Sequence, residues 1–197
     1  VSFREDVGGA AFYGPKLDVD VKSMAGKYET ISTVQVDFYL PNRFELEYTG
    51  PDNQPHRPVM IHRGVISTME RMTAFLIELY GGAFPVWLAP VQGIFLPIAE
   101  RHIEYARKWA EQARLLGLRL EVDERDEKLN RKIRDAELQK VPFMLVVGDK
   151  EVSEEGVAIR RRGQGDAGRM KIGEFLPALN RLDAERRLDL DLVPAVD

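Results

Sequence analysis

The hydrophobic and polar positions change period once along the chain, near residue 85. Before that point they alternate residue by residue, as in LDVDVKS (17–23), ETISTVQVDFYL (29–40), RFELEY (43–48) and RPVMIHR (57–63). A period of two puts one row of side chains on each face of a strand, and turn-rich joins such as TGPDNQP (49–55) suit an antiparallel sheet. One helix is expected after these strands. In STMERMTAFLIELY, Met69, Met72, Phe75, Leu76 and Leu79 recur at helical spacing, and Gly81-Gly82 ends the run. Ser67 stands where it can cap the N-terminus, with Glu70 three residues on completing a capping box.

Beyond the proline-punctuated AFPVWLAP (83–90), short apolar runs alternate with amphipathic ones. Strands are expected at VQGIFLPI (91–98), LRLEVD (118–123), PFMLVVG (142–148) and GVAIRRR (156–162), and helices at 100–117, 128–140 and 171–182. Strand, helix, strand, helix, strand predicts an α/β domain with a mostly parallel sheet. The expected fold class is therefore α+β followed by α/β, with domains at 1–84 and 85–185. The acidic end, 186–197, containing LDLDLVPAVD, caps nothing recognisable and reads as a frayed tail.

Composition narrows the function classes. At 197 residues and 44% apolar the chain can bury a core, and with no cysteine it has neither disulfides nor thiolate metal ligands. Cytoplasm is the expected compartment, since no apolar run reaches membrane-spanning length and VSFREDVGGA is not a signal peptide. The opening without Met reads as a piece of a longer protein. A net charge of −4, from 28 basic and 32 acidic residues, argues against a general electrostatic nucleic-acid binder. Basic sites are local: 125–134 (RDEKLNRKIR), Arg160 to Arg162, and Arg63 with Arg71.

Taken singly the chemical signals are weak. A lone histidine is usually packed or solvated, and a Glu-Arg pair on a helix is an exposed ion pair worth little. Their order is more specific. GAAFYGPKLDVDV, STVQVDFYLPNRFELEYTG, RPVMIHRG, MER and AFPVWLAPVQ, followed by LEVDERDEKLNRKIRDAELQKVPFMLVVGDKEV and VAIRRRG, resemble the C-terminal part of threonyl-tRNA synthetases from about residue 8 to about 182. The resemblance implies part of an antiparallel class II synthetase catalytic sheet with its motif 3 helix, then a three-layer α/β anticodon-binding domain.

It also implies roles. His62 would be a ligand of the zinc that reads the amino and hydroxyl groups of threonine, a device that separates threonine from isosteric valine where an apolar pocket cannot. Arg71 would be the catalytic arginine on ATP, its planar charged fork suited to phosphate and adenine. Tyr13, Lys16, Thr33, Gln35 and Thr68 would line the threonine and ATP pocket, Thr33 and Gln35 facing the same way on one strand. Asp126, Lys128, Arg134, Glu151 and Arg160 would read anticodon bases. Lys128, Arg131 and Lys132 cluster beside an apolar face of Leu129, Ile133 and Ala136, and Arg134 projects away from it. Three positions depart from the family pattern: Ser67-Thr68 replaces Gly-Ser, Thr30 replaces Gln, and Asp126 replaces Asn, so that this carboxylate cannot donate to a base.

The implied activity is that of a threonine–tRNA ligase using Mg-ATP and zinc, with threonine, ATP and threonine tRNA as substrates, a homodimer as assembly and no membrane. With His62 as its one zinc donor, this chain alone is expected to hold no stoichiometric zinc and to lack aminoacylation activity. The alternatives are a non-catalytic tRNA-binding paralogue and a sister class IIa synthetase for proline, glycine or histidine.

Overall fold

Two compact units divide the chain, one ending at Leu79 and one beginning at Tyr80, and the computed structural model describes residues 3–192. In the first unit the alternating segments become β1 (Lys16–Lys22) and β2 (Tyr28–Asp37), then α1 (Tyr39–Arg43), a two-residue hairpin of β3 (Tyr48–Thr49) and β4 (Pro55–His56), β5 (Met60–Gly64) and α2 (Met69–Tyr80). The sheet order is β1-β2-β5, antiparallel throughout.

RFELEY is not the strand its alternation predicts. The Asp37 carboxylate accepts hydrogen bonds from the Tyr39 and Leu40 backbone N–H groups at 2.8 and 2.9 Å, which starts α1 directly after β2. Pro41 falls in the first turn, where its missing N–H has no helical partner to lose. The cap of α2 also lies one residue later than expected. Thr68 Oγ1 accepts from the Arg71 N–H at 3.3 Å, while Ser67 adopts a left-handed conformation (φ 58°).

Among the described residues of the first unit, Pro41 is the one buried apolar side chain, and α2 buries none. Leu17, Ile61 and Met69 are each more than 60% exposed. The stripe along α2 is therefore amphipathic without a dry surface to meet, and the polar row of the sheet carries two buried side chains, Gln35 and Asp37.

The second unit holds the hydrophobic core. It runs β6 (Gly93–Pro97), α3 (Ile103–Leu115), β7 (Leu120–Val122), α4 (Leu129–Leu138), β8 (Phe143–Val147), α5 (Asp149–Ser153), β9 (Gly156–Arg161), β10 (Gly165–Lys171) and α6 (Ile172–Ala184). The order β10-β9-β8-β6-β7 makes a mixed sheet: β6 is parallel to β7 and β8, while β9 joins β8, and β10 joins β9, antiparallel. β10 escapes the pattern because GDAGRMK carries two glycines at positive φ and a register shift between Asp166 and Arg169, the mark of a bulge.

The sheet is covered on both sides. Phe95, Phe143, Leu145, Val157 and Ile159 pack with α3 and α6, Phe143 meeting Phe175 edge-on at 5.9 Å. Leu96, Met144 and Val146 pack with Ala136 of α4. Alternation along each strand sends its neighbours to the two layers, so runs such as FMLVV are apolar at every position. The acidic end is anchored rather than frayed as far as 192: Leu190 and Leu192 pack on the core and Asp191 pairs with Arg161 at 2.7 Å. Residues 193–197 of that expected tail lie outside the described residues. Among the described residues no helix is long and apolar enough to cross a membrane.

Candidate functional site

The register of the first sheet assembles a polar face. Lys16 lies opposite Gln35, and Gln35 opposite His62; in the next row Asp18 lies opposite Thr33, and Thr33 opposite Gly64. With side chains alternating, Lys16, Asp18, Thr33, Gln35, Asp37 and His62 all project from one face. Tyr13 joins them, since its O–H donates to Gln35 Oε1 at 3.2 Å and its ring lies edge-on to His62 at 6.1 Å.

Glycine 14 explains how Tyr13 gets there. A Cβ at this position would lie 2.0 Å from the Val36 carbonyl oxygen, so only glycine lets the segment lie flat against β2. The Phe38 N–H then reaches the Tyr13 carbonyl at 3.0 Å and the Val36 N–H reaches Pro15 at 3.0 Å.

Most groups on the face are held by another, but Gln35 Nε2 and Thr33 Oγ1 are buried with no partner. His62 Nε2 and Asp37 Oδ2 are 2.8 Å apart. Burial pushes the Asp37 carboxyl up, but hydrogen bonds from His62, Leu40 and Tyr39 outweigh it and hold the group below the usual carboxylate range. Lys16 Nζ pairs with Asp18 Oδ2 at 2.7 Å, which raises the ammonium's pKa. Gln35 is held at one end alone, its oxygen taken by Tyr13. A buried amide donor left unpaired costs about 1–3 kcal/mol.

Thr68 and Arg71 sit together on the first turn of α2, Arg71 exposed; no hydrogen bond or ion pair among the described residues ties either to the polar face. Among the described residues there is no group of three potential metal ligands. His62 is thus a single donor, and these residues do not by themselves compose a zinc site.

In the second unit the candidate base readers collect around α4 and the strands beneath it. Asp126 and Lys128 are exposed just before α4, and Arg134 is exposed on it. Arg160 shares its sheet face with Ala158, which packs in the α4 cluster, and its Nε is buried with no partner. Glu151 is differently placed. It is buried, one oxygen accepting from the Gly148 N–H at 3.0 Å at the start of α5 and the other meeting Arg169 Nε at 3.0 Å.

Lys132 does not belong to the solvated cluster its sequence position suggests. It is buried, its ammonium donating to the Pro97 and Asp123 carbonyls at 3.2 and 3.0 Å. Those oxygens sit at the carboxyl ends of β6 and β7, where a parallel sheet leaves backbone acceptors open. Asp123, itself buried, is gripped by Arg125 through both oxygens at 2.9 and 2.7 Å, and Arg125 also reaches Asp135 at 2.9 Å. Pattern reading missed Asp18 and Asp37, although each lies two residues beyond a named position on the same strand.

Residues 2–80 match the family model described as the tRNA synthetase class II core domain (G, H, P, S and T), and residues 88–182 match the anticodon binding domain. The threonine–tRNA ligase of Halalkalibacterium halodurans is 56% identical over 177 residues, 89% of this chain and 27% of that protein. The chain belongs to the threonyl-tRNA synthetase family. A second family member, from Geobacillus kaustophilus, is 56% identical over 191 residues, 96% of this chain and 29% of its own length. The chain therefore spans under a third of the length of these synthetases. Among solved structures, the RNA binding domain of the threonyl-tRNA synthetase from Cryptosporidium parvum Iowa II matches with a TM-score of 0.80 and 33% identity, over 88% of this chain and 44% of that one.

Proposed function

We propose that the chain works as part of a threonine–tRNA ligase, its first unit supplying one wall of the site that activates threonine with ATP and its second unit binding the anticodon of threonine tRNA. The observation that carries this reading is the single polar face of Tyr13, Lys16, Gln35 and His62 with an unpaired, buried amide donor at its centre. A carboxylate oxygen or hydroxyl of the amino acid is the acceptor such a donor fits. His62 would be one zinc ligand among others that the described residues do not supply, and zinc would add a Lewis-acid contact to the substrate's hydroxyl and amino groups. Arg71, a planar guanidinium with no ion pair among the described residues, would meet the ATP phosphates of a Mg-ATP complex. Attachment to the tRNA ribose needs mainly positioning and charge stabilisation.

Lys128, Arg134 and Arg160 present cations on the α4 side of the second unit, where splayed anticodon bases would be read; Asp126 lies beside them as an acceptor only. Glu151 would take part only by leaving Arg169. A homodimer and a cytoplasmic location follow from the same reading.

Two measurements test it. A protein of full family length carrying these residues should catalyse threonine-dependent ATP–pyrophosphate exchange, and Arg71→Ala should abolish it. The 197-residue chain should bind threonine tRNA more tightly than a tRNA with another anticodon, and Arg160→Ala should cost about 1–3 kcal/mol of that preference. Equal binding of both tRNAs, with no exchange activity in the long protein, would sink the proposal. Discriminating tRNA binding without exchange would instead favour a non-catalytic paralogue.

A further inference from the structure

We infer that Asp37 is a positioning residue for His62: it accepts a hydrogen bond from Nε2–H, so that the ring presents the Nδ1 lone pair to whatever the polar face binds. The geometry allows one arrangement. Asp37 Oδ2 lies 2.8 Å from Nε2, and turning the ring by half a turn would put a ring carbon against the carboxylate. The carboxylate itself is immobile. It is fully buried, and its other oxygen accepts from the Tyr39 and Leu40 N–H groups, so α1 and β5 grip it from two sides. A carboxyl group whose other oxygen already accepts from two backbone amides is built as an acceptor, so Nε2 is the donor in this contact. The imidazole, 43% exposed, keeps Nδ1 for the site.

The consequence concerns specificity. A ring whose Nε2 donates to Asp37 and whose Nδ1 is bare accepts from a hydroxyl or ammonium, or donates its lone pair to a cation. Gln35, directly opposite in the register, offers the complementary donor. One donor and one acceptor side by side suit the amino-acid end of the substrate rather than its triphosphate partner. This assignment of what Nδ1 meets rests on the ligase reading; the protonation pattern does not.

Asp37→Asn separates position from proton. Asparagine keeps an oxygen for the α1 amides, but its NH2 group now faces Nε2 and forces the hydrogen to Nδ1. Long-range proton–nitrogen correlation spectra of the 197-residue chain, at a pH above the imidazole range and with His62 assigned by its loss in His62→Gln, read the ring directly. The expected result is a single Nε2–H form in the native chain and an Nδ1–H form in Asp37→Asn, with the Tyr39 and Leu40 amide signals retained. A native ring averaging between the two forms, as a free imidazole does, would overturn the inference without needing the variant. So would an unchanged form in a variant whose α1 amides are intact. In a protein of full family length, Asp37→Asn should raise the KM for threonine about tenfold, the worth of one strong hydrogen bond, and leave the KM for ATP unchanged. Absence of exchange in the native long protein would remove the ligase reading and leave the spectra to decide the role of Asp37.

Discussion

Residue identity was most misleading where a charge is buried. Lys132 stands in a run of basic residues and looks solvated, yet it bridges the Pro97 and Asp123 carbonyls inside the second unit. Helical spacing put Lys132 beside the Leu129 and Ile133 face but could not say that strand ends would surround its ammonium. Replacing it by methionine keeps the volume and leaves two carbonyls without their donor, so Lys132→Met should lower stability by about 1–3 kcal/mol in urea unfolding. Asp123 gives a signed pH dependence. Arg125's hydrogen bonds, aided by its charge, hold the Asp123 carboxyl below the ordinary range of about 3.9 despite burial. Its stabilising contribution is therefore complete above that ordinary value and is lost as the pH falls through the folded one. Asp123→Asn should be less stable than the native chain at neutral pH, and the gap between their urea midpoints should close on acidification below about pH 4. Lys16, Gln35 and His62 were each legible from motif order; that they form one row across three strands is a property of register, which no single segment contains.

At the level of elements, period and punctuation located most of the second unit. The helix expected at 128–140 is α4 at Leu129–Leu138, and the strand expected at 142–148 is β8 at Phe143–Val147. The misses share a cause, which is that a side chain redirected the backbone. Asp37 starts a helix where FELEY alternates like a strand, and two glycines let β10 bulge where no alternation survives. Gly14 shows the same sensitivity. Gly14→Ala would press a methyl group into the Val36 carbonyl, so the Tyr13 segment must lift from β2 and release the Gln35 oxygen. The expected outcome is loss of threonine binding in the long protein with the second unit's near-ultraviolet signal, dominated by Trp87 and Trp109, unchanged.

Across the molecule, burial is unequally shared. Side chains of Phe95, Phe143 and Phe175 are fully buried in the second unit, each worth about 1.5–3 kcal/mol, while no aromatic or branched aliphatic side chain among the described residues of the first unit is buried. Hydrogen exchange should follow that division: amides of β6 and β8 exchange only on global unfolding, and amides of β1 and β5 exchange far sooner. Equal protection in the two units would show that contacts of another kind stabilise the first. Sequence alternation announced the first sheet but could not report the lack of a covering layer, since LDVDV reads the same whether or not something lies on its valines. Among the described residues, the order β1-β2-β5 also leaves the outer backbone groups of β1 and β5 without ladder partners. Such margins are templates on which a further strand from any extended polypeptide gains a full set of amide bonds. Association through these edges should grow with protein concentration, and a lysine introduced on β5 should reduce it, as light scattering across a dilution series would read.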